Sequence, residues 1–255
     1  MNYAPGRSGP RGRVAVVTGA GRPRSIGTAI CLALAANGAD IFFTHYLGDS
    51  KDDPEALLER LRGAGVRAEG MELDLSIPGS SGMLLDAAAE RLGSPAILVN
   101  NAAHSERDGY ENLDAATLDA HYAVNLRATA LLSVLFARRF DGEHGRIVNL
   151  TSGQSLGPMP GELAYAATKG AIEAFTRTLA AEVGHKGITV NAVNPGPTNT
   201  GWMTGELRRN LAAKFPAGRV GEPEDAARLV AFLASEEAAW ISGQVIHSEG
   251  GFLRE

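Results

Sequence analysis

Cysteine is almost missing from this sequence. The single Cys31 among 255 residues excludes an intrachain disulfide framework. It stands in the apolar helical pattern "AICLALA", where a small buried hydrophobe is expected. Nor is there a run long and apolar enough to span a bilayer. The first twelve residues, "MNYAPGRSGPRG", lack the apolar stretch of a secretory leader. Rich in Pro, Gly and Arg, they read as a flexible tail, 1–12, ahead of one folded domain, 13–255, in a cytoplasmic protein. Positive charge is in deficit: 24 Lys and Arg stand against 29 Asp and Glu. A net charge of −5 is mild and of the wrong sign for binding nucleic acid by neutralising phosphates. Arg7, Arg11 and Arg13 therefore read as solvated charges, and neither nucleic acid nor membrane is expected as a partner. The histidines, at 45, 104, 121, 144, 185 and 247, form no H-x-x-x-H or H-E-x-x-H pattern, so no metal site is expected. A G-K-[ST] phosphate loop is missing as well.

What is present is alternation. Short β-rich runs occur at 13–18, 40–44, 67–73, 96–100, 146–151, 188–194 and 243–248. Most carry several β-branched residues and few charges, as strands covered on both faces do. Helix-like segments lie between them, at 25–37, 54–63, 82–92, 114–139, 163–184 and 223–235. Glycine signals such as "ANG" and "EVG" close some of these. The alternation predicts a single α/β domain: a doubly wound parallel sheet of Rossmann type with helices on both faces. In such sheets ligands bind beyond the carboxyl ends of the strands. The segments there are "GAGRPRSIG", "DL", "NAAH", "SGQ" and "PGPTNT". All are small, polar or glycine-rich, and so suited to close backbone approach.

Tyr165 and Lys169 stand four apart on a predicted helix, hence on one face. Ser152 lies upstream, just past the fifth strand, and Asn125 lies inside a long helix. Singly, each residue is compatible with an ordinary role: a half-buried aromatic, a solvated helix charge, a turn serine, an asparagine that bends a helix. Together, with "NNAA" at 100–103 and "NPG" at 194–196, they resemble the short-chain dehydrogenase/reductase family. The resemblance runs from about residue 13 to the C-terminus. It is strongest to bacterial 3-oxoacyl-[acyl-carrier-protein] reductase-like members, through "GRVGEPEDAARLVAFLASEEAAWISGQVIHSEGG". One departure is the pair Ser248-Glu249 before the final glycines, where the family often has Val-Asp.

The chemistry fits the residue types. Tyrosine has a pKa of about 10 and is a poor acid–base catalyst near neutrality. A lysine ammonium one turn away is expected to favour the phenolate and lower that value; reaching ~7 takes about 4 kcal/mol. The resemblance implies that Tyr165 gives a proton to a carbonyl oxygen as hydride reaches the carbon. It implies too that Ser152 donates to that oxygen, that Lys169 also binds the nicotinamide ribose, and that Asn125 holds a water in a proton relay.

"TGAGRPRSIG" departs from the family's T-G-x-x-x-G-x-G. Gly19 is kept, two residues are added, and Ser25, Ile26 and Gly27 close the motif, with Ser25 in place of the middle glycine. The helix starting there still offers free N–H groups to a pyrophosphate, and Ser25 can cap it. A basic insertion ending in Ser-Ile is also similar to the enoyl-thioester reductases. Those separate their Tyr and Lys by six residues, whereas three intervene here, the carbonyl-reducing arrangement. NAD-users carry an acidic residue at the end of the second strand. Here that place reads "FFTHYLG", with no carboxylate before Asp49. NADP(H) is therefore expected ahead of NAD(H), with Arg22 and Arg24 as partners for the 2′-phosphate. The resemblance further assigns Asp74 and Leu75 to the adenine end, Asn101 to the adenosine ribose, and Thr198 and Thr200 to the nicotinamide side.

The expected function is hydride transfer between NADP(H) and a carbonyl or secondary alcohol, with a 3-oxoacyl thioester among the candidate substrates. A dinucleotide-binding sensor or structural partner without turnover is the alternative. Segment 201–218 is the expected lid. Trp202, Met203, Leu207, Leu211 and Phe215 either line an apolar pocket or pack that lid onto the body. The resemblance and the Ala/Leu-rich helices at 114–139 and 163–184 point to a homotetramer.

Overall fold

A computed structural model describes residues 12–46 and 53–254. The expected N-terminal tail, with Arg7 and Arg11, lies almost wholly outside the described residues, and so does Asp49. The strands are β1 (Val14–Val17), β2 (Asp40–His45), β3 (Ala68–Glu72), β4 (Pro95–Asn100), β5 (Gly145–Leu150), β6 (Ile188–Asn194) and β7 (Val245–His247). They form one seven-stranded parallel sheet in the order β3-β2-β1-β4-β5-β6-β7. The order reverses between β1 and β4, and a crevice opens at that point beyond the strand ends.

Strand periodicity explains the layers. Ala15 and Val17 point into one core with Ile41, Phe43, Ile97 and Val99. Helices α1 (Ile26–Ala36), α2 (Pro54–Gly63) and α8 (Pro223–Leu233) cover that face, through Leu34, Leu61 and Val230 among others. Val14 and Val16 point the other way, with Phe42, Leu98 and Ile147. There α3 (Ser80–Leu92), α5 (Thr129–Arg139) and α6 (Leu163–Val183) close the layer. Cys31 is fully buried in the first core, and burial pushes its thiol pKa up, so the residue acts as a small hydrophobe. Among the described residues no helix is long and apolar enough to cross a membrane.

Two segments differ from the expectation. The stretch 114–139 is not one uniform helix. It divides into α4 (Ala115–His121), a π-helical stretch (Tyr122–Ala128) and α5. Wide π turns of this kind often accompany functional sites, and this one carries Asn125. The expected lid contains a helix of its own, α7 (Gly205–Ala212), capped by Thr204 Oγ1, which accepts from Leu207 N at 3.2 Å. No residue of α7 is buried. The apolar lid residues part company: Phe215 is buried, whereas Trp202 is exposed and donates its Nε1 to Thr198 O at 3.1 Å.

Candidate active site

The loop after β1 is shaped by close contacts. Gly19 has φ +72°, and a Cβ there would lie 2.7 Å from Ala102 Cα. A Cβ on Gly27 would lie 2.2 Å from Gly19 O. Both positions therefore demand glycine. Thr18 Oγ1 accepts from Asn101 N and Ala102 N at 3.0 and 3.1 Å, while Asn101 Nδ2 donates to Thr18 O and Gly19 O. Asn101 thus ties the end of β4 to the loop. Ser25 is the N-cap of α1, its Oγ accepting from Thr28 N at 3.2 Å, and Thr28 Oγ1 accepts from Gly21 N at 3.1 Å. The inserted residues leave the start of α1 intact.

A cleft of about 1010 Å³ opens beside this loop. Gly19, Arg22, Ser25, Ile26 and Gly27 line one wall, and Asp74, Leu75, Asn101 and Thr200 line others. Asp74 is held by an Asx turn, its Oδ1 accepting from Ser76 N at 2.8 Å. Thr44, His45 and Tyr46, at the end of β2, complete the far end. Among the described residues His45 Nδ1 is buried there without a hydrogen-bond partner.

The two arginines of the insertion separate. Arg22 lines the cleft. Arg24 is exposed, pairs with Glu222 at 2.9 Å and does not line it. Thr198 is also outside the lining: it is buried, donates to Pro195 O and Gly196 O, and bridges to Gly221.

Ser152, Tyr165 and Lys169 gather next to the cleft rather than in its lining. Lys169 is 3% exposed and donates to Leu150 O at 2.7 Å. Its Nζ lies 5.6 Å from the Tyr165 ring centroid. Burial lowers Lys169 to about 8. Burial, and then the charge of Glu162, push Tyr165 up to about 12, against a hydrogen bond from Ser152. That direction is opposite to the expected lowering by Lys169. The ammonium faces the ring and is committed to a backbone carbonyl, so desolvation of the phenol dominates. Ser152 Oγ also faces Met159 Sδ at 3.9 Å, on the loop leading into α6.

Asn125 is buried within the π-helical stretch, and its amide is taken up by protein groups. Oδ1 accepts from His104 N at 2.7 Å; Nδ2 donates to His104 O at 2.9 Å and Thr168 Oγ1 at 3.1 Å. Its side chain positions the loop after β4 against α6.

Several residues escaped the sequence reading. The rings of His104 and His121 meet edge-on at 4.7 Å, and His121 lies 6.4 Å from Tyr165. His121 is fully buried between Thr117 O and Glu106 N. Its position four before Asn125 was the available signal. Glu173, one turn beyond Lys169, is buried and accepts from Gln154 Nε2 at 2.6 Å and Ser155 Oγ at 3.0 Å. Gly153–Gly157 spells G-x-S-x-G, a pattern that elsewhere marks a hydrolase nucleophile. Here the hydroxyl of Ser155 serves Glu173 and fixes the turn.

Comparison with known proteins matches this architecture. A family model described as Enoyl-(Acyl carrier protein) reductase covers residues 19–253. The chain is 58% identical to the uncharacterized oxidoreductase YjdA of Bacillus subtilis, over 95% of this chain and 97% of that protein. It is 38% identical to the 3-oxoacyl-[acyl-carrier-protein] reductase FabG of Pseudomonas aeruginosa, over 94% and 97%. The structure of the landomycin C-6 ketoreductase LanV with bound NADP and rabelomycin superposes with a TM-score of 0.85 at 32% identity, over 96% of this chain and 97% of that one. With matches of this extent, the chain belongs to the short-chain dehydrogenase/reductase family of oxidoreductases.

Proposed function

We propose that this oxidoreductase is an NADP(H)-dependent carbonyl reductase. The observation that carries the reading is the gathering of Ser152, Tyr165 and Lys169 beside a cleft whose far end has Arg22 and His45 where NAD-users have a carboxylate. A nicotinamide dinucleotide fits that cleft. Gly19 and Gly27 bring the backbone close, the first turn of α1 offers N–H groups, and His45, at the end of β2, has a buried Nδ1 with no partner among the described residues. Arg22 supplies charge for a 2′-phosphate. LanV, with NADP bound, supports the preference by analogy.

The bound dinucleotide supplies the hydride. Tyr165, whose buried phenol keeps its proton near neutrality, holds the proton that the substrate oxygen needs. Ser152 donates a hydrogen bond to the same oxygen as charge develops on it. Lys169, one turn along α6, orients the phenol and would hold the nicotinamide ribose. Three residues between Tyr165 and Lys169 favour ketone over enoyl reduction. The similarity to FabG makes a 3-oxoacyl thioester the first substrate to try. Residues 201–218 act as the lid, and the protein works as a homotetramer.

The test is NADPH oxidation with a panel of activated ketones and a 3-oxoacyl thioester, beside NADPH binding without substrate. Turnover with NADPH favoured over NADH supports the reading. Binding with no turnover on any carbonyl would make the protein a sensor. Light scattering at micromolar concentration checks assembly: a stable 26.7 kDa monomer rules out the tetramer.

A further inference from the structure

The segment after β7 reaches the catalytic loops. Glu249 is 10% exposed at its side chain and binds Arg254 through both oxygens: Arg254 Nη1 donates to Oε1 at 2.7 Å and Nη2 to Oε2 at 2.6 Å. Asn194 Nδ2, at the end of β6, donates to Oε2 at 2.9 Å. Next to it, a Cβ on Gly196 would lie 2.4 Å from Glu249 Cβ. Glu249 is thus wedged against the "NPG" turn. Burial alone would raise its pKa; Arg254, then Asn194 and the charge of His247, outweigh that and hold it low.

Arg254 carries the contact onward. Its guanidinium lies over the Phe252 ring at 5.2 Å, and its side chain runs along the turn after Ser152. A Cβ on Gly153 would lie 2.3 Å from Arg254 Nη2, and one on Gly157 would lie 3.0 Å from Arg254 Cδ. Phe252 meets Phe215 with centroids 4.9 Å apart, and Leu253 N donates to Lys214 O at 2.9 Å. One short segment therefore touches the serine turn, the turn after β6 and the end of the lid.

We infer that Arg254 is a positioning residue for catalysis: held by Glu249, its guanidinium sets the Gly153–Gly157 turn and with it the place of Ser152. The turn is already held from the other side, where Glu173 accepts from Gln154 and Ser155. Arg254 closes the open side. A planar, bidentate group suits the task because its two N–H donors fix orientation as well as distance. Two glycines on the turn give it room. The Ser248-Glu249 departure in the sequence then has a role: Glu249 supplies the two oxygens that hold the fork. The inference rests on the reading of Ser152 as the hydrogen-bond donor to the substrate oxygen.

Two readouts test it in the full-length protein. The first is steady-state turnover of an activated ketone by wild type, Arg254→Met, Arg254→Lys and Glu249→Gln, with melting temperatures alongside. Arg254→Met is expected to lower kcat about 10-fold, with NADPH affinity unchanged and Arg254→Lys recovering part of the loss. The second is hydrogen exchange of the amides of 152–157, which needs no turnover. Exchange there is expected to quicken in Arg254→Met and Glu249→Gln, and to stay unchanged in Arg139→Gln, which breaks the exposed Arg139–Asp86 pair. A lowered melting temperature with kcat within about twofold of wild type and unchanged exchange would mean a merely structural ion pair, and would overturn the proposal. If Arg254→Met does not fold, Glu249→Gln decides by the same two criteria. If wild type reduces no carbonyl, the reductase reading fails by itself and exchange alone decides for or against the clamp.

Discussion

The two ends of the cleft are held in different ways. At the catalytic end, Lys169, Asn125 and Glu173 are buried, and each is fixed by hydrogen bonds to protein groups. At the β2 end, Arg22 and Tyr46 line the cleft, and His45 keeps a ring nitrogen without a hydrogen-bond partner among the described residues. The difference suits the tasks proposed for the two ends. Proton transfer to a carbonyl oxygen tolerates little misplacement, because an error near 1 Å costs about 10²-fold. Recognition of a phosphate dianion by a guanidinium works over a wider range of geometry. Damage at the first end should therefore appear in turnover and damage at the second in nucleotide affinity.

Tyr165→Phe is expected to give the largest effect. It removes the proton and keeps the ring that packs near His121. Turnover should fall by at least about 10²-fold, with NADPH binding little changed. Ser152→Ala should cost about 10²-fold through the lost donor. Near-normal turnover in the phenylalanine variant would remove the acid from the mechanism, and a parallel loss of NADPH binding would erase the contrast between the two ends.

The arginines sharpen the same contrast. Arg22→Ala should weaken NADPH and leave NADH almost untouched, because only the former carries the phosphate. A charge-assisted hydrogen bond is worth about 1.5–3 kcal/mol, or roughly 10- to 100-fold in affinity. The preference should narrow at high salt. Arg24→Ala breaks only the exposed pair with Glu222 and should shift NADPH affinity by well under about 1 kcal/mol. Fluorescence titration of both nucleotides against both variants separates the cases. Equal losses for NADPH and NADH in Arg22→Ala would make that arginine a bystander.

How far these features could be read in advance depends on the range of the interactions. The alternation of strands with helices and the Tyr165/Lys169 face follow from local periods, two along a strand and one turn along a helix, so they were legible. The tight form of the loop after β1 was legible too, since Gly19 and Gly27 leave no room for a Cβ. Which of Arg22 and Arg24 lines the cleft was not, since Arg24 pairs with Glu222 in a distant segment. The π-helical stretch at 122–128 and the helix in 205–212 were missed: the first looks like ordinary helix in sequence, and the second buries nothing that would give it a periodic stripe. The Tyr165 shift was read with the wrong sign because proximity to a lysine is visible in sequence and burial of a phenol is not. Arg254 beside Gly153 joins segments about a hundred residues apart, beyond any local pattern.

A pH series of stability tests that burial directly. Lys169 titrates at about 8 in the folded chain against an ordinary 10.5, because burial disfavours its ammonium. Below about 8 both folded and unfolded chains carry the proton, and the folded state bears the full desolvation cost. Between about 8 and 10.5 the folded chain has released the proton and the unfolded chain still binds it. Stability should then rise with pH, with a slope of at most about 1.4 kcal/mol per pH unit. Tyr165 acts in the opposite sense above its ordinary 10.0: the unfolded phenol ionises first, so stability is lost from there toward about 12. The clean window is therefore pH 8 to 10. Urea unfolding of wild type and Lys169→Met across that window isolates the lysine, since other groups titrate alike in both. Wild type should gain stability relative to the variant as the pH rises. A difference that stays flat would mean that Lys169 keeps its charge in the fold at those pH values, and that the catalytic end is wetter than its burial implies.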